Sequence, residues 1–399
     1  MEVYILDRLY RRSAVVDMFE SVIWTERWAE VGDFELLISS TPVNRNLFTA
    51  GTAVALNASK RVMLVETIED NTDDDGRTRL KIKGRSLEKI LADRMLIDFD
   101  GLGVPKEKLY YPGTPLAIAQ MMFTHVCVNG VVNDYDVIPL YTTGTSYSAE
   151  TIAAPTETIL WEPEPANLLT LLQDICKVYE FGFRLYRNGD AGQLYFNVYT
   201  GNDRTTAQRV HNPTIFSPGL ETVQNTTRLA TIEKEKNVAY VFNEQGFEIV
   251  YADGVDPTVD GFYRRVLTVK VGKFMVTDAL GNQVEPTATE LSNHLIEQGK
   301  NELAKNQSLL AFDGEVNQHS PYLYGRDYEL GDLVEMRDAD GVGSNMRVTE
   351  QIFVHDGAGE RSYPTLTLDS YIVTGTWDFW IGNKYWTDFG ATEYWNTQP

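Results

Sequence analysis

The sequence predicts a β-rich α+β multidomain fold in which two related β-barrels flank a mixed α/β module. Three observations carry this. The first 97 residues divide into six short strand-like runs separated by turn residues, the signature of a small barrel or sandwich. Residues 98–214 change texture and add helical periodicity. The pattern of GTAVALNASKRVMLVETIEDNTDDDGRTRLKIKG (51–84) then returns in GDLVEMRDADGVGSNMRVTEQIFVHDGAGERSYPTLTLDS (331–370). A chain of 399 residues has room for two or three such cores.

In order, VYILDR, AVVDMFESVIWTERW, DFELLIS, AVALNA, RVMLVETIED and RTRLKIKG are the strand-like runs of a first barrel over 1–97. Their separators, VGD, NASK and DDDG, are turn chemistry. In GRSLEKILADRML, Leu87, Ile90, Leu91 and Met95 recur at helical spacing. A module over 98–214 follows. Its first helix has Thr114 as N-cap, Pro115 at the first helical position and Gly130 at the C-terminal cap. Its second helix buries Leu168, Leu171, Leu172, Ile175 and Val178 on one face, and FGFRLYR and QLYFNVY flank NGDAG as a hairpin over 181–199. The β-pattern resumes over 215–375, interrupted by a helix over 288–305 with Leu291, Leu295, Gly299 and Leu303 on one side. Residues 376–399 form a separate aromatic-rich tail.

The repeat aligns Gly51, Val54 and Leu56 with Gly331, Val334 and Met336. With a first turn four residues longer in the second copy, Glu66 and Ile68 meet Glu350 and Ile352. Leu80-Lys81-Ile82 then meets Leu366-Thr367-Leu368. Two related barrels in one chain account for this more economically than chance likeness of short β-units.

The formal charge of -22 disfavours a nucleic-acid binder, because phosphate recognition needs Lys and Arg to displace counterions. It favours solubility before assembly. The start, MEVYILDRLYRRSAVVDMF, lacks the layout of a secretory leader, and no apolar run is long enough to span a membrane. Cys127 and Cys176 read as buried thiols of a protein folded in a reducing compartment.

Catalytic and metal chemistry leave little trace, and no catalytic, cofactor or metal residue is assigned. His125, His211, His294, His319 and His355 are scattered without HExxH spacing, and no P-loop, G-x-S-x-G or G-x-G-x-x-G occurs. Asp70-Asn71-Thr72-Asp73-Asp74-Asp75-Gly76 suggests a calcium loop. Placing Gly76 at the sixth position puts Ile82 at the twelfth, where a carboxylate is required. A solvated hairpin turn is the reading there and at Asp338-Ala339-Asp340-Gly341. The tail TWDFWIGNKYWTDFGATEYWNTQP holds Trp377, Phe379, Trp380, Tyr385, Trp386, Phe389, Tyr394 and Trp395. It either folds back on its own barrel or is a docking peptide for a neighbouring subunit, with carbohydrate stacking as a third use.

Several segments resemble the tail-tip (baseplate) hub, or minor tail, proteins of long-tailed bacteriophages, the siphoviruses. They are Leu6-Asp7-Arg8, Phe19-Glu20-Ser21-Val22-Ile23-Trp24, Gly32-Asp33-Phe34-Glu35-Leu36 and Gly84-Arg85-Ser86-Leu87-Glu88. Later in the chain come Phe312-Asp313-Gly314-Glu315-Val316, Tyr324-Gly325, Asp327-Tyr328 and Leu330-Gly331-Asp332, with Val334 beyond. The likeness covers roughly residues 1–370 and leaves out the aromatic tail. It implies tube-type barrels and a non-enzymatic homotrimeric hub at the distal end of the virion tail. The implied partners are further copies of itself, the distal tail protein ring, and the tape measure or tail-fibre and spike proteins. DNA would pass through an acidic lumen without being bound, and assembly would take place in the host cytoplasm. The competing readings are a cell-wall-degrading tail enzyme and a carbohydrate-binding adsorption module.

Overall fold

The computed structural model describes residues 1–368 except 73–75, 131–135, 139–140, 144–149, 157, 162, 188–193, 232–234, 253, 275, 278–282, 305, 307–308, 318–319 and 342. The chain forms two compact units, the first built from Met1–Asn225, Glu315–Ala339 and the segment from Asn345 on, the second from Thr226–Gly314 and Asp340–Ser344. This differs from the expected division into consecutive modules.

The chain opens with β1 (Val3–Leu6), β2 (Arg12–Val16), β3 (Ser21–Arg27), β4 (Asp33–Ser39), the short helix α1 (Pro42–Leu47), β5 (Ala53–Leu56), β6 (Val62–Thr72) and β7 (Thr78–Ser86). Hydrogen bonding orders the strands β3-β4-β7-β6-β5-β1-β2. Alternation puts Val22, Trp24, Phe34, Leu36, Ile38, Val54, Leu56, Leu80 and Ile82 on one face. The sheet rolls, so that Val16 and Val22, from opposite ends of that run, enter the same core. Among the described residues no pairing of β2 with β3 closes the roll.

The next segment holds a 3₁₀ turn (Leu87–Asp93), β8 (Met95–Leu96), β9 (Tyr111–Gly113), α2 (Pro115–Phe123), β10 (Tyr141–Thr143), β11 (Ile159–Trp161), β12 (Ala166–Asn167), α3 (Leu168–Tyr179), β13 (Gly182–Arg187) and β14 (Leu194–Tyr199). The helical spacing at Leu87 thus gives a 3₁₀ turn, and α2 runs on into a π-helical turn over Thr124–Val128. Asn167 caps α3 by accepting from the Thr170 amide at 2.9 Å. The outer face of the roll is apolar at Leu6, Ala53, Ala55 and Val62. There it packs against Ile118 and Met122 of α2, Leu172 and Ile175 of α3 and Phe183 of β13. A shared core of this kind joins residues 1–97 and 98–214 into one unit.

After β15 (Ile215–Phe216) the second unit begins within β16 (Val223–Thr231) and continues through β17 (Val238–Phe242), β18 (Phe247–Tyr251), β19 (Val266–Lys270), β20 (Val276–Thr277), β21 (Gln283–Val284) and α4 (Ala288–Ala304). β17 is central, antiparallel to β18 and parallel to β19. Thr287 and Glu290 form a reciprocal capping box at the start of α4, and Leu295 and Leu303 bury against Val241 and Val250. Gly299 allows the close approach, since a Cβ there would lie 2.6 Å from Val250 Cγ2. The chain then forms β22 (Leu309–Val316), paired with β16, and ends its described course in β23 (Leu333–Arg337), β24 (Gly343–Asp356) and β25 (Gly359–Leu368). β24 joins the first sheet by pairing with β3, so the expected second barrel shares a sheet with the first.

Candidate functional site

Residues 51–86 and 331–368 fold as antiparallel three-strand meanders, β5-β6-β7 and β23-β24-β25. Each begins at a glycine with positive φ, 82° at Gly51 and 88° at Gly331. In the first, Gly51 N donates to Val65 O at 2.8 Å and Val65 N to Thr52 O at 2.9 Å. In the second, Gly331 N donates to Val348 O at 2.8 Å and Val348 N to Asp332 O at 3.0 Å. A β-bulge follows at once in both, skipping Glu66 between Val65 and Thr67 and Thr349 between Val348 and Glu350. Val54 and Val334 are fully buried, as are Leu56 and Met336 to within 2% exposure.

These hydrogen bonds correct the sequence register. Fourteen residues lead from Gly51 to Val65 and seventeen from Gly331 to Val348, so the second copy's turn is three residues longer, not four. Ile68 takes the position of Gln351 and Ile352 that of Glu69, one residue away from the expected match of Ile68 with Ile352. Leu366 faces Val348 as Gly84 faces Val65, so Leu366 stands in the place of Gly84 and not of Leu80.

Beyond the bulge the meanders diverge. Residues Glu350–His355 pair with Arg27–Val22 of β3, and Trp28 N donates to Thr349 O at 2.9 Å. Gln351 and Phe353 are buried there. The counterpart Thr67–Thr72 pairs with β7 on one side and is exposed throughout.

The seam between β3 and β24 carries a buried polar junction. Arg347 stacks over the Trp28 ring at 4.6 Å and donates to Gly331 O at 2.9 Å. Gly331 and Gly182 make room for this indole, because a Cβ would lie 2.6 and 2.1 Å from Trp28 Nε1 respectively. Beside it Arg61 pairs with Glu88, whose Oε1 also accepts the Leu185 amide at 2.8 Å. Burial works against the Arg61 charge, and Glu88, Tyr199 and Glu26 more than offset it, raising its pKa. Glu26 is buried in the same cluster and accepts from Tyr324 Oη at 3.1 Å. Burial pushes its carboxyl above the usual range, against the opposing pull of Arg61, Ser59 and Tyr324. Asp332 is a further buried acid, held by Arg204 Nε at 2.6 Å and the Asn202 amide at 2.7 Å. Its carboxyl is likewise raised by burial.

No motif in the sequence marks this junction. One signal was present: Val22, Trp24, Glu26 and Trp28 share the inward alternation of β3, so Glu26 is a carboxylate on an apolar face.

The scattered residues stay scattered. His125 Nδ1 lies 2.6 Å from Tyr111 Oη, His294 stacks on Phe274 at 4.1 Å, and His355 lies 3.3 Å from Glu360. His319 falls outside the described residues. Cys127 and Cys176 are buried free thiols, and burial pushes Cys127 up to about 12. Among the described residues no acid, His or Cys group is arranged to hold a metal. A shallow depression of about 220 Å³ over β4, β7 and β6 is lined by charges such as Arg85 and Glu66, themselves paired at 2.7 Å. Residues 73–75 of the acidic turn lie outside the described residues. So do Trp377, Phe379, Trp380, Tyr385, Trp386, Phe389, Tyr394 and Trp395.

Solved structures share this architecture. The 43 kDa tail protein of prophage MuSo2 from Shewanella oneidensis is 14% identical, with 93% of this chain and 98% of that one covered and a TM-score of 0.51. The tail protein from Neisseria meningitidis MC58 is also 14% identical, covering 92% and 96% at a TM-score of 0.52. Prophage tail protein gp18 from Listeria monocytogenes EGD-e is 11% identical, covering 94% and 96% at 0.51. No curated protein matches the chain. The fold is therefore that of phage tail proteins. The chain itself matches the Siphovirus ReqiPepy6 Gp37-like proteins over residues 2–365 and belongs to that family.

Proposed function

We propose that the chain is a structural, non-enzymatic hub subunit at the distal end of a phage tail, where three copies close into a ring. The observation that supports this most is the repeated lock of Gly51 on Val65 and Gly331 on Val348 in one chain. Two like β-units per chain let a trimer present six similar edges to a six-fold tube while keeping three-fold symmetry below. The ring would adjoin the distal tail protein, the tape measure and fibre or spike proteins, in a virion assembled in the host cytoplasm. The net charge of -22 suits a lumen through which DNA slides without being retained. The aromatic segment 376–399 is a docking peptide in this reading, and its removal leaves β-structure intact while blocking assembly with a neighbour. Native mass of the purified chain tests the reading directly. A trimer is expected, and a species that remains a single chain at every concentration contradicts it.

A further inference from the structure

We infer that the open sheet face of the second unit seats the aromatic segment 376–399 of a neighbouring copy. This rests on the docking-peptide reading above and names the surface that receives the peptide.

The sheet β18-β17-β19 has two unlike faces. Alternation turns Ala239, Val241, Val250, Leu267 and Val269 toward α4, where they share a core with Leu295 and Leu303. The opposite face is also apolar. Across it Tyr240 is paired with Ile249 and Thr268, and Phe242 with Phe247 and Lys270. Phe247 is 54% exposed, Ile249 40% and Val266 36%, and Phe262 and Tyr263, just before β19, are more exposed still. Contiguous apolar exposure of this kind marks an interaction surface.

Charge and reach select the occupant. In a chain of net charge -22, the open-face positions of β17, β18 and β19 hold no carboxylate. They hold Lys270, and Arg264 lies over the Tyr251 ring at 5.7 Å. Segment 376–399 carries eight aromatic side chains, with Asp378, Asp388 and Glu393 set against Lys384 alone. An apolar, weakly acidic peptide thus meets an apolar, weakly basic face. The described course ends at Leu368, and the eight residues 369–376 extend to about 28 Å, a leash long enough to reach an adjoining subunit.

The sequence supplies its own reporter. After Arg361 the only trypsin site is Lys384, inside the segment, and its cleavage releases 385–399, read by mass. In the assembled full-length chain Lys384 is shielded, and dilution to single chains exposes it. Phe247→Ser combined with Ile249→Ser raises the cleavage rate at least tenfold, with an unchanged unfolding midpoint. Lys270→Glu, on the same face, raises it severalfold and covers the case in which the double variant disturbs the sheet. If both variants leave Lys384 as protected as in wild type, the face belongs to another occupant and the inference is wrong, although the ring stands. Equal cleavage of assembled and single wild-type chains also overturns it, because a segment held by a neighbour is released on dilution. If wild type never associates, the ring and this docking fall together.

Discussion

The arms that follow the two bulges have the same backbone course and opposite surroundings. Glu350–His355 is covered by β3 and places Phe353 in the core of the roll at 3% exposure. Thr67–Thr72 is exposed along its length and carries Asp70 at the position of Phe353. Backbone geometry is thus set by the glycine lock and the bulge, which both copies share. Side-chain composition is set by what covers the arm. One copy is covered within the chain, and the other has no backbone partner on that side among the described residues.

Exchanging side chains between the arms breaks that comparison most sharply. Phe353→Ala is expected to cost about 3–5 kcal/mol in denaturant unfolding, whereas Asp70→Ala should stay within about 0.5 kcal/mol. Equal losses at the two positions would mean that the arms do not differ in burial. The paired glycines come next. Gly331→Ala combines a φ of 88° with a Cβ 2.6 Å from Trp28 Nε1, and a loss of about 3 kcal/mol is expected. Gly51→Ala meets nothing within 4 Å and should cost only the left-handed backbone strain, about 1–2 kcal/mol. Both variants are read by urea melts.

The smallest effect is a pH dependence at the seam. Glu26 faces Arg61, Glu88 and Tyr324, with Ser59 alongside, and its folded carboxyl is raised by burial. The folded state therefore holds this proton to higher pH than the unfolded chain. Its contribution is fully present below the ordinary glutamate range and is lost as pH rises from that range through the raised value. Glu26→Gln keeps the neutral form throughout. The variant should lack this loss, gaining on wild type as pH rises from 4 to 8 in thermal melts. A wild-type-like slope in the variant would assign the pH dependence to other groups.

Much of this was legible in the sequence, for physical reasons. Turn residues and alternation exposed the strands, and Gly51 and Gly331 marked the meander starts because a positive φ favours glycine. The register beyond Val65 and Val348 was not legible. A bulge inserts one unpaired residue, and neither Glu66 nor Thr349 has a side chain that announces it. The division into units was hidden for a different reason. The second unit begins within β16 and ends within β22, two strands that pair with each other across the long interruption from β17 to the helix at Ala288–Ala304. Local patterns report the strands on either side of such an interruption but not their pairing. The Trp28 junction was missed because its members, Arg61, Gly182, Gly331 and Arg347, meet only in the folded chain.

Amide hydrogen exchange on the purified protein tests the central claim most directly. Gln351, Phe353 and His355 should exchange slowly, while Ile68, Asp70 and Thr72 exchange fast. If the two sets exchange at the same rate, the account of a once-filled, once-open repeat is wrong.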